Sequence, residues 1–371
     1  MANNFGMVAV LLGKGADPDR PVPVELARPE LGMTTNPGER ALHVAARSGK
    51  VEIVGLLLKR ARADPNVTDN TGSTPLMETC RSLNVRVEVV RLLLEAGADP
   101  TLARIEDNWT PLHAAAVNGR VGLAHVLYAA APATLNRCSS FGETPLCLAC
   151  VGGHEGMVSK LLSLGAMEPP MPLVDDALSP LLVAVCKGFM GVVRILLEEE
   201  GFRAIGGRRA LPDALYNAIR YRQTRILRLL LAAEGDEKRS ELANTSIGGA
   251  HPLHFGAAFC CPAAVSILLE AGADEATRHP EGYTPRDVIG VGLGRDDQPQ
   301  VDRQDEVAIG RMLQRGPAYR ARAWAWPCDE EADAGGSGDG DTAAAAAAAA
   351  AAGLSPPPAV ETPPVIGVRI F

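Results

Sequence analysis

The stretch Thr110-Pro111-Leu112-His113-Ala114-Ala115 decides the fold of this 371-residue chain, because close variants of it recur along most of the sequence. The proline, or the residue that replaces it, stands at positions 41, 75, 111, 145, 180, 214, 252 and 285. The steps between these positions are 34, 36, 34, 35, 34, 38 and 33 residues. A period of this length indicates a chain built from stacked structural repeats.

Each repeat predicts two short helices joined by a tight turn. Thr or Ser before Pro suits a helix start, because the hydroxyl accepts from free backbone N–H groups and proline loses no hydrogen bond in the first turn. A second apolar segment follows at a fixed distance, as in Val89-Val90-Arg91-Leu92-Leu93-Leu94, and its apolar residues have helical spacing. Gly49, Gly119 and Gly153 fit the turn between the two helices, where positive φ is needed.

One such helix pair cannot bury its own apolar face, so neighbouring pairs must stack around one continuous core. The motif, together with second segments that end in Gly-Ala-Asp as at Gly97-Ala98-Asp99, resembles the ankyrin repeat family over about residues 3–290. The resemblance implies an all-α ankyrin-repeat solenoid of helix-turn-helix units with projecting hairpin loops, whose ligands are usually proteins. The repeat near 214 is degenerate, because Pro212-Asp213-Ala214-Leu215-Tyr216 replaces the usual motif.

The regions outside the regular repeats differ from them in composition. We expect a partial N-terminal repeat or cap at 1–17, a Pro-rich looped insertion at 18–37, the repeat stack at 38–290, a C-terminal capping helix and basic-aromatic strip at 291–327, and a disordered acidic, Ala- and Pro-rich tail at 328–371. The tail is predicted to be disordered because its residues bury too little apolar surface to offset chain entropy.

The net charge of −8 is concentrated near the C-terminus. Residues 329–371 hold seven acids and one Arg, a net of −6, which leaves −2 for residues 1–328. A nearly neutral body argues against general nucleic-acid binding. No apolar run is long enough to span a membrane, the N-terminus lacks the features of a secretion signal, and the eight cysteines are scattered. We therefore expect a monomeric cytoplasmic or nuclear protein with reduced thiols and no membrane attachment.

The candidates for chemistry are explained by the repeat. Cys147-x-x-Cys150-x-x-x-His154 has zinc-like spacing, but each residue occupies a repeat position and no second Cys/His pair completes a tetrahedral site. Histidines at the helix start, such as His113, match the family's histidine, to which the resemblance assigns structural hydrogen bonds. A catalytic Cys-His pair would need an oriented base and a pocket. We predict no catalytic residue, no metal and no cofactor.

The resemblance implies that a partner protein is met by the hairpin tips and by the exposed ends of the first helices. Trp109 and Phe141 stand where the fold needs no aromatic ring, and exposed aromatics are typical interface anchors. The alternative for both rings is local packing on the neighbouring hairpin. By position, the predicted partner-binding residues are Arg47, Ser48, Asn70, Thr71, Ser73, Arg81, Ile105, Glu106, Asp107, Trp109, Asn118, Ser140, Phe141, Glu143, Asp175 and Asp176.

The leading prediction is a non-catalytic adaptor or scaffold with its main binding face at about 66–180. An alternative is the substrate-recognition part of a larger enzyme assembly such as a ubiquitin ligase, which would need a short partner-binding element in 303–371. A cluster of arginines in residues 1–328 has three interpretations. It is a solvated helix face, a docking patch for an acidic partner or for the acidic tail, or, as a weaker alternative, a nucleic-acid site whose affinity falls steeply with salt. Its members are Arg203, Arg208, Arg209, Arg220, Arg222, Arg225 and Arg228.

Overall fold

The computed structural model describes residues 5–21, 37–82, 84, 86–167, 179–198, 208–233, 235–289 and 303–313. The chain divides into a compact part at Met1–Tyr319 and a second part at Arg320–Phe371. The expected tail at 328–371, the basic-aromatic strip and most of the looped insertion at 18–37 lie outside the described residues. None of the helices in the described ranges is long and apolar enough to cross a membrane.

The described residues form seventeen α-helices and a short 3₁₀ turn at Pro132–Thr134. In chain order the helices are α1 (Phe5–Gly13), α2 (Ala41–Arg47), α3 (Val51–Lys59), α4 (Pro75–Arg81), α5 (Val87–Glu95), α6 (Pro111–Val117), α7 (Val121–Ala130), α8 (Pro145–Val151), α9 (Glu155–Ser163), α10 (Pro180–Lys187), α11 (Met190–Glu198), α12 (Arg208–Arg220), α13 (Thr224–Ala232), α14 (Gly235–Ala243), α15 (Pro252–Ala258), α16 (Pro262–Glu270) and α17 (Arg303–Met312). The described ranges contain no β-strand, so the all-α prediction is confirmed.

Seven helix pairs follow one another along the chain, and we number them as repeats 1 to 7. They are α2–α3, α4–α5, α6–α7, α8–α9, α10–α11, α12–α13 and α15–α16. Each first helix packs on the first helix of the next repeat, and each second helix packs on the next second helix. The second-helix row is extended by α1, which packs on α3, and by α17, which packs on α16. The predicted solenoid of stacked helix pairs is therefore confirmed.

The core runs without a break through all seven repeats. The first-helix row contributes leucines such as Leu112, Leu146 and Leu181, which are almost completely buried. Complete burial of one such side chain stabilises the fold by roughly 1.5–3 kcal/mol. Alanines such as Ala115 and Ala149 are completely buried beside them and allow neighbouring first helices to approach closely.

The helix starts are capped as the sequence predicts, with a hydroxyl in two repeats. Thr74 accepts a hydrogen bond from the backbone N–H of Met77 at 3.3 Å, and Thr144 accepts one from Cys147 at 3.3 Å. Each of these caps satisfies one of the free N–H groups at a helix N-terminus.

Histidine at the helix start joins its own loop to the next repeat. Nδ1 of His43 accepts from the backbone N–H of Arg40 at 3.2 Å, so the ring proton is on Nε2, which donates to the carbonyl of Ser73 at 2.9 Å. His254 makes the same pair of bonds, accepting from His251 at 3.3 Å and reaching the carbonyl of Tyr283 at 3.1 Å. These histidines have the structural role that the family resemblance implies.

Asparagine side chains make a second set of bonds between repeats, at the far ends of the second helices. Asn66 accepts from the backbone N–H of Asp99 at 2.7 Å and donates to the carbonyl of Gly97 at 3.0 Å. Asn244 makes the same two bonds to the loop after α16, at 2.7 and 3.0 Å. The Gly-Ala-Asp stop of one repeat is thereby attached to the repeat before it.

The turn between the two helices of a repeat requires glycine for two reasons. Gly119 and Gly153 have φ values of 63° and 68°, as predicted. A Cβ on Gly119 would also lie 2.7 Å from the ring of His154, whose Nε2 is 2.9 Å from the carbonyl of Val117. A side chain at Gly119 would therefore displace a contact between repeats 3 and 4.

Repeat 6 and the region after it depart from the regular pattern. Its first helix, α12, has 13 residues and includes Pro212, whereas the other first helices have seven or eight. The additional helix α14 packs on α13 and accounts for the long step between 214 and 252. After repeat 7, Thr284 begins another copy of the motif, but Asp287 accepts from its backbone N–H at 2.8 Å in a turn rather than a helix.

We expect acid to destabilise the stack through its buried histidines. Burial lowers the pKa of His113 to about 4 and lowers the pKa of His43 and His254 as well. Because an unfolded histidine has a pKa near 6.5, the unfolded chain binds more protons than the folded chain as the pH falls below that value. His113 alone should cost about 2 kcal/mol of unfolding free energy between pH 7.5 and pH 5. Urea unfolding at both pH values measures the loss.

The matched variant is His113→Met, since Met77 occupies this position in repeat 2. The variant should lose less stability than the parent chain over the same pH interval, by about the 2 kcal/mol assigned to His113. An equal loss in the two proteins would show that His113 does not cause the acid sensitivity.

Candidate protein-binding surface

The loops that lead into the first helices form hairpin turns, which we call fingers, and their tips are joined by backbone hydrogen bonds. The bonds run from Asn70 N to Pro37 O at 3.0 Å, from Ile105 N to Thr71 O at 3.0 Å, and from Ser140 N to Asp107 O at 2.9 Å. The fingers of repeats 1 to 4 are thus connected in series. Because the tips are already ordered, a ligand that binds them pays little additional conformational entropy.

Two neighbouring tips present large apolar side chains to solvent. Ile105, on the finger of repeat 3, is 77% exposed, and Phe141, on the finger of repeat 4, is 59% exposed. The side chain of Glu106 is exposed beside Ile105, and Ser140 is exposed beside Phe141. We call Ile105, Glu106, Ser140 and Phe141 the tip patch.

Asp107 has a structural position, which corrects its prediction as a surface contact. Its carboxylate is 3.0 Å from the guanidinium of Arg104 and accepts from the backbone N–H of Trp109 at 3.1 Å. The residue is nearly buried by these contacts. Asp107 therefore shapes the finger that presents Ile105.

An ion-pair network occupies the first-helix face of repeats 1 and 2. Arg47 pairs with Glu39 and, at 3.2 Å, with Glu78, while Arg81 reaches the other oxygen of Glu78 at 3.2 Å. Both glutamates are buried, so the arginines neutralise charges that the fold has removed from water. Burial lowers the pKa of Arg47, but Glu39 and Glu78 together outweigh burial and raise it. Arg81 is more exposed than Arg47, so more of its side-chain surface is available to a ligand.

Ser73 is completely buried, which corrects its prediction as a partner-binding residue. Its hydroxyl donates to Glu78 at 3.0 Å, and its backbone N–H donates to Asp69 at 2.8 Å. The sequence position is that of a finger residue, but the side chain faces the first helix instead of solvent.

Trp109 is the most important correction. Its ring is partly buried against the core and is stacked on His113, with ring centroids 6.5 Å apart and planes at 16°. Its indole nitrogen is shielded from solvent. Local packing, the alternative considered from the sequence, therefore describes Trp109. Phe141 remains an exposed aromatic.

The other predicted contacts occupy a range of environments. Ser48 and Asn70 are exposed, whereas Thr71, Asn118 and Glu143 are partly buried. Asn118 donates to the carbonyl of Ala114 at 2.8 Å. Burial raises the pKa of Glu143, and the hydrogen bond from Ser139 partly opposes that rise. Asp175 and Asp176 lie outside the described residues.

The zinc-like spacing does not assemble a site in the structure. Cys147 and Cys150 are buried in α8, and His154 contacts the carbonyl of Val117. Burial raises the pKa of Cys150 well above its usual value, which keeps the thiol protonated. The described residues contain no group of three or more His, Cys, Asp or Glu side chains arranged for a metal ion.

An aromatic cluster on repeats 6 and 7 was missed in the sequence. The rings of Tyr216 and Phe255 meet edge to face at 4.8 Å, and Phe259 lies 6.0 Å from Tyr216. Tyr221, the residue after α12, is exposed, and the guanidinium of Arg220 lies 5.7 Å from its ring centroid. The sequence signal for this cluster was the presence of four aromatic residues within about 45 positions, in a chain whose aromatic share is 4%.

Comparison with known proteins identifies the family. A profile described as ankyrin repeats matches three times, at residues 1–104, 42–136 and 112–205, and these matches together cover more than half of the chain. The chain therefore belongs to the ankyrin repeat family. Ankyrin repeats are protein–protein interaction modules, which agrees with the exposed fingers and the stacked helix pairs.

Curated relatives share the repeats over part of their length. The chain is 38% identical to SMC5-SMC6 complex localization factor protein 1 of Bos taurus over 110 residues, which are 29% of this chain and 10% of the relative. It is 33% identical to E3 ubiquitin-protein ligase XBAT33 of Arabidopsis thaliana over 159 residues, 43% of this chain and 29% of the relative. It is 38% identical to Ankyrin repeat and SOCS box protein 16 of Homo sapiens over 138 residues, which are 35% of this chain and 29% of the relative. The matches thus span 29% or less of each of these relatives.

We expect Trp109→Ala to lower stability and Phe141→Ala to leave it nearly unchanged. Removal of the Trp109 ring leaves a gap against the core and His113, which should cost about 2 kcal/mol or more. Removal of the exposed Phe141 ring should change the unfolding free energy by less than about 0.5 kcal/mol. Urea unfolding of the two variants at pH 7.5 measures the difference. A Trp109→Ala protein as stable as the parent would contradict the packing described above.

Proposed function

We propose that this chain is a non-catalytic adaptor or scaffold that binds a partner protein on the fingers and first-helix face of repeats 2 to 4. The observation that carries the proposal is the tip patch, where Ile105 and Phe141 expose apolar surface on adjacent, hydrogen-bonded fingers. Exposed apolar side chains grouped on a rigid support are typical of interface centres.

The surroundings of the tip patch also suit a protein interface. Glu106 and Ser140 supply polar groups at its edge, and Arg81, which pairs with Glu78, adds an exposed guanidinium on the first-helix face of repeat 2. Interfaces commonly combine an apolar centre with a polar, solvent-accessible rim. Asn70, Thr71, Asn118 and Glu143 belong to this proposed face as outer contacts. Arg47, which is also held by its glutamates, and Ser48 extend the face to the end of α2 in the adjacent repeat 1.

The proposal extends to the cellular setting predicted from the sequence. It places the chain, as a monomer, in the cytoplasm or nucleus, with reduced cysteines. The support is the scattered, mostly buried thiols and the nearly neutral charge of residues 1–328. Buried thiols of this kind are typical of proteins in a reducing compartment.

The test is the full-length variant Ile105→Ser/Phe141→Ser, compared with Tyr283→Ser, which removes a 50% exposed apolar side chain from the last finger. Affinity purification with quantitative mass spectrometry identifies the proteins that the parent chain retains. For a partner bound at the tip patch, the double variant should weaken affinity by about 2 kcal/mol or more, with unchanged melting. Tyr283→Ser should retain that partner. Full retention by the double variant, or equal loss in Tyr283→Ser, would reject the tip patch.

A second candidate function is substrate recognition within a ubiquitin-ligase assembly. The support is that one relative is named an E3 ubiquitin-protein ligase and another is named for a SOCS box. Under this hypothesis the repeats bind the substrate, and an element within 303–371 recruits the remaining ligase components. The described helix α17 packs on α16, so the informative deletion begins after it, at residue 314.

The ligase hypothesis predicts that complexes purified with the full chain conjugate ubiquitin in a reaction supplied with activating and conjugating enzymes. A chain that lacks 314–371 should lose this activity and keep the partner bound at the tip patch. If the deletion leaves both the conjugation activity and the co-purified proteins unchanged, a recruiting element in 314–371 is excluded.

A further inference from the structure

The second helices of repeats 5 and 6 carry arginines on their outward surface. Arg194 on α11 is exposed, and so are Arg225 and Arg228 on α13. Ile226 and Leu227, which lie between the two arginines of α13, are buried in the core. Arg225 and Arg228 are three residues apart and therefore lie on one face of α13. The helices α11 and α13 pack side by side, and packed helix axes are about 8–10 Å apart, so Arg194 belongs to the same surface.

Two more basic residues continue this surface around the turns at the ends of the first helices. Arg220 ends α12 and is exposed, and Lys187 ends α10 in the neighbouring repeat. The first helices α10 and α12 pack side by side, so the two charges at their ends belong to neighbouring elements. Burial raises the pKa of the Cys186 thiol, and the positive charges of Arg220 and Lys187 both oppose that rise. We call Lys187, Arg194, Arg220, Arg225 and Arg228 the basic face.

The described part of the chain does not neutralise the basic face. Its ion pairs involve Arg47, Arg81, Arg104 and Arg222, and none includes a residue of the basic face. Arg222 differs from its neighbours, because it reaches Asp305 at 3.9 Å and donates to the carbonyl of Cys260 at 3.2 Å.

The local charge excess is large for a chain whose net charge is −8. Residues 179–233 contain nine basic and four acidic residues, a net of +5. Exposed like charges within about 10 Å of one another repel at moderate salt, so a ligand that brings carboxylates would be attracted. The basic residues counted are Lys187, Arg194, Arg203, Arg208, Arg209, Arg220, Arg222, Arg225 and Arg228, and the acidic ones are Glu198, Glu199, Glu200 and Asp213.

We propose that the basic face binds an acidic segment of a partner polypeptide. Guanidinium groups match carboxylates through paired hydrogen bonds, and the exposed Tyr221 ring beside Arg220 offers an apolar contact for the same segment. A polypeptide fits better than a nucleic acid, because the basic face is confined to two repeats and the whole chain is acidic. The basic face lies on the second-helix and turn side, so it is a separate surface from the tip patch.

The test uses the full-length protein and a fluorescein-labelled peptide that contains six glutamates separated by glycines. Binding is measured by fluorescence anisotropy at low salt. Arg225→Glu/Arg228→Glu should weaken binding by about tenfold or more, because attraction between arginine and the peptide glutamates is replaced by repulsion between glutamates. The matched control, Arg60→Glu/Arg91→Glu, makes the same charge change on the second-helix side of repeats 1 and 2, where both residues are exposed. It should change affinity by less than about threefold. Equal weakening in both double variants would overturn the proposal.

Cysteine labelling provides a second readout that does not depend on a substitution. Cys186 lies beside the basic face and Cys138 lies on the finger of repeat 4, and both are partly exposed. Saturating peptide should slow maleimide labelling of Cys186 several-fold and leave Cys138 unchanged, as quantified by mass spectrometry. Binding at the basic face would be contradicted if the peptide slowed the labelling of both cysteines equally, or if it slowed neither.

A single-stranded oligonucleotide with six phosphates separates the two kinds of polyanion. It should bind more weakly than the glutamate peptide under the same conditions. If it binds more tightly and loses affinity in Arg225→Glu/Arg228→Glu, the ligand is a nucleic acid and the assignment to an acidic polypeptide is wrong. Because none of the substitutions in these assays alters the fingers, their failure leaves the proposed binding at the tip patch unaffected.

Discussion

Leu146 is completely buried although its own helix pair supplies only part of its surroundings, because α8 packs between α6 and α10. The same dependence holds along the stack, where each helix pair has an apolar face that only a neighbouring pair can cover. The small residues of the first helices, such as Ala149, are needed for the close approach of neighbours. Stability is therefore a property of the contacts between repeats more than of any single repeat.

Stacking also explains why residues that look reactive in the sequence have structural roles. His43 bridges two loops, His154 covers the turn of the preceding repeat, and Cys150 is a small buried side chain. Buried polar atoms must find partners inside the fold, and the loop carbonyls of the next repeat provide them. We expect the same burial to make the stack sensitive to acid, because a histidine that is buried and neutral in the folded chain gains a proton more easily when the chain unfolds.

The surface that stacking leaves uncovered differs from one side of the repeats to the other. The finger side presents Ile105 and Phe141 on ordered turns, whereas the outward side of repeats 5 and 6 presents Arg194, Arg225 and Arg228. The first surface suits an apolar, shape-dependent contact, and the second suits an electrostatic one that weakens with salt. The tip patch belongs to repeats 3 and 4 and these arginines belong to repeats 5 and 6, so the two surfaces lie on different repeats.

The sequence by itself determined the repeat period, the all-helical stack and the family, because each repeat carries the same capping, turn and core residues at fixed spacing. It also placed positive φ at Gly119 and Gly153, since the chain must reverse there. Only the tertiary structure decided which way each finger side chain points. Ser73 and Trp109 turn toward the first helices, whereas Ile105 and Phe141 turn to solvent, although all four belong to fingers. The difference arises from contacts between a finger and a first helix, such as the stacking of Trp109 on His113 and the hydrogen bond from Ser73 to Glu78. The spacing of residues along the sequence does not specify these contacts.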